Sequence, residues 1–217
     1  MKTIQPPKEK LRKILIISPH PDDEILGCGG TIIKSIEKGD KVYIVFLTSG
    51  DSNQNVREKE ALAVCRYLGI SNHYFLRLQR KGLSVSLKNI EVLIDVLNKI
   101  KPEIVYINHE LDADYEHRIA YQLVMQAYWR YNSNQTPISK IKGLLLYEIH
   151  TPMQKYNLVE DISKHINRKM KAMSFYKSQL GKSGIDMAIK GLNRYRGSMH
   201  ENINYAEVFQ IKKLTNI

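Results

Sequence analysis

Short apolar runs punctuate the chain at Arg12 to Ser18 (RKILIIS), Lys41 to Thr48 (KVYIVFLT), Asn72 to Leu76 (NHYFL), Glu103 to Asn108 (EIVYIN) and Lys142 to Glu148 (KGLLLYE). They are rich in β-branched and aromatic residues and nearly continuous rather than alternating, the pattern of strands covered on both faces. Between them apolar positions recur at helical spacing over Ile25 to Lys38, Val56 to Leu68 (stopped by Gly69), Leu87 to Ile100 (ahead of Pro102) and His117 to Tyr131. Strands that alternate with helices require crossover connections. The expected fold class is therefore α/β, a three-layer α/β/α sandwich on a mainly parallel, Rossmann-like sheet. Further helices over Ser163 to Leu180 and Gly184 to Tyr195, and a late strand over Tyr205 to Lys212, extend it. Without an internal repeat or a shift in composition, the 217 residues read as a single domain over 1–217.

In an open α/β sheet the ligand site lies beyond the carboxyl ends of the strands. SPHPDDE follows the first strand, TSGDSN the second and NHELDADYEH the fourth, so ionisable residues converge on one edge. Acids crowded around His20 repel one another unless water screens them or a cation compensates. His20 and Asp23, three apart in a turn stiffened by Pro19 and Pro21, can aim an imidazole and a carboxylate at one point, which makes two ligands of a zinc site. Asp22 between them is placed to take a proton from a water molecule. A helix cap at Ile25 would account for one acid but not for His20. Catalytic zinc usually keeps three protein ligands. His117, starting a helix beside Asp112, Asp114 and Glu116, is the favoured third, with His109 as the other choice; His73, His150, His165 and His200 lack acidic company and read as ordinary histidines.

Charge and cysteine content narrow the class. The net charge is +11, with 12 Lys+Arg against 5 Asp+Glu from His150 onward and 21 against 17 before it. The basic residues are dispersed along helices with no basic run, so a solvated face is expected and no nucleic-acid partner. Cys28 and Cys65 match neither a disulfide framework nor a zinc ribbon and read as small apolar helix residues. No apolar run approaches the roughly 18 residues of a membrane span, and MKTIQPPKEKLRK lacks the apolar stretch of a signal peptide. A soluble, cytoplasmic protein without an integral membrane segment is expected, with a loose tail to about Lys10. Gly27, Gly29 and Gly30 should allow tight packing of the first helix, and Tyr128, Trp129 and Tyr131 read as an aromatic stripe in the core.

A strand ending in PHPDDE, followed by a glycine-bearing helix, resembles the PIG-L (LmbE-like) family of zinc-dependent N-deacetylases, which remove acyl groups from N-acetylated amino sugars. TSGD with Arg57 and Glu60, HELDADYEHRIAYQLVMQA, and the C-terminal pieces LLYE, RYRG and YAEVF are also similar to the family. The resemblance implies one zinc ion on His20, Asp23 and His117, Asp22 as general base, and Arg57 facing the substrate. Glu116, where the family usually carries Asp, is grouped with Asp22 as catalytic, and Asp112 and Asp114 with Arg57 as substrate-binding. Asp114 stands where other branches carry His and this branch usually Asn. LQRKGLS replaces a common Asp-Gly turn, and Arg80 and Lys81 there suit either an anionic substrate or solvent. The implied substrate is an N-acetylated amino sugar or glycoconjugate. An amide outside the sugars, or a basic binding protein that has lost activity, are the alternatives.

Overall fold

The computed structural model describes residues 11–50, 53–136 and 140–215. The tail to Lys10, and Asp51 and Ser52 of TSGDSN, lie outside them. Strands β1 (Lys13–Ser18), β2 (Lys41–Phe46), β3 (Asn72–Phe75), β4 (Ile104–Asn108) and β5 (Gly143–Tyr147) run parallel, and with β6 (Leu158–Asp161) and β7 (Ala206–Leu214) the whole sheet has the order β3-β2-β1-β4-β5-β7-β6. Alternate side chains of each strand enter opposite layers. Ile14, Ile16, Val42 and Ile44 pack on α1 (Asp23–Glu37), α2 (Gln54–Leu68), α5 (Ile166–Met173) and α7 (Ile185–Ser198). Leu15, Ile17, Tyr43 and Val45 pack on α3 (Leu87–Ile100) and α4 (Tyr115–Ser133). The three-layer expectation holds.

The structure departs from the sequence reading at the C-terminal end. β7 (Ala206–Leu214) runs antiparallel to β5 and to an unanticipated edge strand, β6 (Leu158–Asp161). The segment expected as one helix from Ser163 to Leu180 divides into α5 and α6 (Lys177–Ser183). The break falls at Tyr176, whose fully buried side chain leaves the helical line to put its hydroxyl on Glu24 of α1. Trp129 is 58% exposed and is not core, whereas Tyr128 and Tyr131 on the same helix are buried. Cys28 and Cys65 are buried on helices, as expected. Among the described residues no helix is long and apolar enough to cross a membrane.

Two glycines explain how α1 sits so close to the sheet. A Cβ on Gly27 would lie 2.3 Å from the Tyr147 ring of β5, and one on Gly30 would lie 2.4 Å from Ile162. The helix is then locked from its far side by a buried ion pair. Lys169 Nζ donates to Glu207 Oε1 (2.7 Å), Asn193 Oδ1 (2.9 Å) and the Leu26 carbonyl (2.9 Å). Glu207 in turn accepts from the Gly30 and Thr31 amides, both at 2.8 Å, and the Thr31 hydroxyl at 2.6 Å. Every donor and acceptor of the pair is matched, which is the condition for tolerating buried charge. The N-terminus of α1, which carries Asp23, is thereby fixed in space.

Candidate metal centre

Strand order reverses between β1 and β4: the chain moves outward from β1 to β2 and β3, then returns to place β4 on the other side of β1. Loops at such a switch point diverge and leave a crevice. The loop after β1 brings His20, Asp22 and Asp23, and the loop after β4 brings Asp112, Asp114, Glu116 and His117.

Three atoms meet there at the corners of a nearly equilateral triangle. His20 Nδ1 lies 3.2 Å from Asp23 Oδ2, His117 Nε2 lies 3.2 Å from the same oxygen, and the two nitrogens are 3.2 Å apart. All three residues are buried. Ligands on tetrahedral corners at zinc's bond lengths of about 2.0–2.1 Å are spaced roughly 3.3 Å apart, and the N, O, N donor set is one that zinc accepts. The geometry fits such an ion.

Neighbouring groups fix each ligand. His20 Nε2 donates to Glu116 Oε2 at 2.9 Å, which leaves Nδ1 as the lone-pair nitrogen. Asp112 Oδ1 stands 3.2 Å from His117 Nδ1, while Asp112 also accepts from the Asp114 and His150 amides. Asp23 Oδ2 accepts from the His20 amide at 2.8 Å, closing the turn. Burial by itself would depress the His117 pKa, yet the Asp23 and Asp112 carboxylates raise it to about 11. The pocket demands positive charge.

Asp22 stands apart from the triangle. Its carboxylate accepts from Arg57 Nη2 at 2.9 Å, and no side-chain cap bond to α1 forms, so helix capping does not account for it. Burial and the Asp23 charge push its pKa up to about 8 against the pull of Arg57. Its backbone has φ 123°, a conformation that costs a non-glycine residue about 1–3 kcal/mol. The fully buried Glu24 holds it there: Glu24 accepts from the Asp22 amide (3.0 Å), and its other carboxylate oxygen takes the Tyr176 hydroxyl. Arg57 reaches Asp22 by crossing Gly50, whose φ of 88° and missing Cβ, which would sit 2.5 Å from Arg57 Cδ, both require glycine.

The remaining expected site residues each have defined neighbours. Arg57, expected to face substrate, is buried and turned to Asp22 and the Pro21 carbonyl. Asp112, expected to bind substrate, is 1% exposed with both oxygens engaged on protein groups, so it orients His117. Glu116, grouped with the catalytic residues, directs its oxygens to His20, the Lys81 amide (2.5 Å) and Arg80 Nε (3.2 Å), and thereby folds LQRKGLS back over the site. Asp114 caps α4, accepting from the Glu116 and His117 amides, and lines the cavity. His109 is no ligand, since its ring bonds the Leu111 amide and the Thr151 carbonyl. Glu60 ties α2 to α6 through Ser178, away from the site.

A further histidine lies beside the triangle. His150, taken as an ordinary histidine, stacks on His117 with ring centroids 5.1 Å apart and lines a cavity of about 290 Å³ together with His20, Asp22, Asp23 and Asp114. Its position just beyond the carboxyl end of LLYE was the available signal.

The profile of the family described as GlcNAc-PI de-N-acetylase (PIG-L) matches residues 15–128. The chain is 26% identical over 200 residues to diacetylchitobiose deacetylase of Thermococcus kodakarensis, covering 81% of this chain and 73% of that one. It is 24% identical over 187 residues to the probable N-acetyl-alpha-D-glucosaminyl L-malate deacetylase 2 of Bacillus cereus, covering 77% and 84%. Among solved structures, the conserved protein TT1542 from Thermus thermophilus superposes with a TM-score of 0.85 at 26% identity, covering 95% of this chain and 97% of that one.

Proposed function

The chain belongs to the PIG-L family of de-N-acetylases, and from that premise we propose that it is a zinc-dependent hydrolase that removes the acetyl group from the nitrogen of an N-acetylated amino sugar or sugar conjugate. The observation that carries this reading is the 3.2 Å triangle of His20, Asp23 and His117 with the Asp22 carboxylate beside it on one cavity wall. One zinc ion per chain, held by those three residues, would polarise the acyl carbonyl and acidify a water molecule. Asp22 takes the water proton as its oxygen adds to the acyl carbon, then returns it to the amine nitrogen as the carbon–nitrogen bond breaks. Acetate and the free amino sugar leave. Arg57 fixes the direction of the Asp22 carboxylate, and Glu116 and Asp112 fix the two imidazoles. Names of relatives that specify chitobiose and glucosaminyl-malate deacetylation support an amino-sugar substrate.

The test is metal analysis joined to a screen for amine release from N-acetylated sugars and their conjugates. About one zinc per chain is expected in the wild type, less in each of His20→Ala, Asp23→Ala and His117→Ala, with amine release that stops on chelation and returns with zinc. Full zinc content in all three variants, or amine release untouched by chelation, rejects the assignment.

A further inference from the structure

The geometry points to His150 as the residue that donates a hydrogen bond to the substrate's acyl oxygen as that oxygen gains negative charge. This inference rests on the proposed amide hydrolysis. Such a reaction concentrates charge on one oxygen, and a donor fixed in advance at that place acts more strongly in the transition state than in the ground state. The protein needs such a group on the cavity wall, close to the triangle but outside it.

Few side chains meet that requirement. The cavity is lined by His20, Asp22 and Asp23, already assigned, and by Arg57, Arg80, Asp114 and His150 among others. Arg57 gives Nη2 to Asp22 and the Pro21 carbonyl while its Nε and Nη1 pack against Gly50, Arg80 gives Nε to Glu116, and Gln179 gives Nε2 to Ser178. Asp114 accepts the first amides of α4, and an ionised carboxylate has no hydrogen to give. The ring of His150, by contrast, makes no hydrogen bond to any described residue, and the residue is exposed to the cavity. An imidazole offers an N–H in its neutral as well as its cationic form, so the role does not depend on its charge.

Its placement is built rather than accidental. The His150 amide donates to Asp112 Oδ2 (3.1 Å), the same carboxylate whose other oxygen stands beside His117. The ring lies on the His117 ring at an interplanar angle of 27°. One nitrogen of His150, one nitrogen of His117 and one oxygen of Asp114 all lie within 4.8 Å of one another. Asp114 is thus a neighbour of the His150 ring without bonding it, and the stack on His117 holds the ring at the edge of the triangle.

The experiment compares His150→Ala, His150→Phe and His150→Gln on whichever N-acetylated sugar the wild type hydrolyses, with zinc content measured in each. The second readout is affinity for the N-methylphosphonyl analogue of the corresponding amino sugar, whose tetrahedral phosphorus mimics the attacked carbon, set against affinity for the free amino sugar. His150→Ala is expected to lower kcat by about 100- to 1,000-fold, the usual effect of losing one such donor. KM, zinc content and free-sugar affinity should stay put while affinity for the phosphonyl analogue falls. His150→Phe preserves the stack without the donor and should be as slow as alanine; His150→Gln restores an N–H and should recover about tenfold or more. Phenylalanine rescuing activity, or all three variants turning over like the wild type, overturns the inference while leaving the deacetylase reading intact. If the wild type releases no amine from any N-acetylated sugar, the deacetylase reading falls and this role falls with it.

Discussion

Shortening Glu116 by one methylene, Glu116→Asp, puts the residue usual in the family at this position and should nevertheless weaken metal binding here. Glu116 Oε2 accepts from His20 Nε2 at 2.9 Å, and its partner oxygen accepts from the Lys81 amide at 2.5 Å. Removing one carbon–carbon bond withdraws the carboxylate by about 1.5 Å, so the contact to His20 opens to roughly 4 Å, beyond hydrogen-bond range. His20 then loses the acceptor that keeps Nδ1 as its lone-pair nitrogen and aims it at Asp23 and His117. Loss of such an outer partner typically costs about 10- to 100-fold in metal affinity, equivalent to about 1.4–2.7 kcal/mol. Glu116→Ala should fall in the same range. Glu116→Gln keeps the reach and an acceptor for His20 but sets an amide donor against the Lys81 amide, so it should stay within about tenfold of wild type. The assay is zinc competition against a chromogenic chelator at fixed pH. An aspartate variant that holds zinc as tightly as the wild type would sink the orienting role. A glutamine variant with unchanged zinc affinity and collapsed turnover would return Glu116 to the reacting groups.

Other substitutions separate binding from chemistry and from stability. Asp22→Asn should keep zinc and lose about two to four orders of magnitude in turnover, since only the base is removed; near-normal turnover would take Asp22 out of the chemistry. Asp114→Asn keeps both the α4 cap and an acceptor, so most activity and all zinc should remain, with any loss appearing in KM, whereas Asp114→Ala should cost about 1 kcal/mol in urea unfolding. A turnover loss in Asp114→Asn as deep as in Asp22→Asn would place Asp114 in the chemical step. Lys169→Met strands Glu207 as an uncompensated buried charge and should cost about 3–5 kcal/mol, partly recovered when Glu207→Gln is added. A loss below about 1 kcal/mol would show that water or another cation reaches Glu207.

The parallel half of the fold was legible because β1, β2, β4 and β5 are buried on both faces and α2 and α3 carry their own stops, Gly69 and Pro102. The antiparallel end was not. β6 is four residues of half-buried, mixed character, and its existence depends on β7 lying beside it rather than on any local pattern. The break at Tyr176 is likewise tertiary: the sequence SFYKS has no helix breaker, and the buried hydroxyl on Glu24 decides it. For the site, residue type and strand-end position were enough to bring His20, Asp22, Asp23 and His117 together. They could not say which acid faces which neighbour: Asp112 turns to His117 and Glu116 to His20, while Arg57 reaches Asp22 and lines the cavity as well. His150 has no acidic neighbour along the chain; Asp112 and Asp114, from the loop between β4 and α4, come near it only in the fold.

The crowding of acids after the first strand has an electrostatic reason that only the three-dimensional arrangement exposes. α1 starts at Asp23 and α4 at Tyr115, so the triangle of His20, Asp23 and His117 draws two of its corners from the first turns of two helices. Each contributes about half a positive charge through its unsatisfied amides. A cation placed at the meeting point of two such ends is opposed by roughly one full charge before any side chain is counted. Five carboxylates answer this, from Asp22, Asp23, Asp112, Asp114 and Glu116, against the two guanidinium groups of Arg57 and Arg80. With Asp22 ionised, as it is above its raised pKa of about 8, the side chains leave a balance of three negative charges, and the helix ends reduce it to about two. A divalent ion is the charge that neutralises this balance. Removing Asp112 or Glu116, which face the two imidazoles, should therefore lower zinc affinity in chelator competition even though neither belongs to the triangle, whereas Asp22, offset by Arg57, and Asp114, offset by the α4 amides, should be nearly neutral for zinc content.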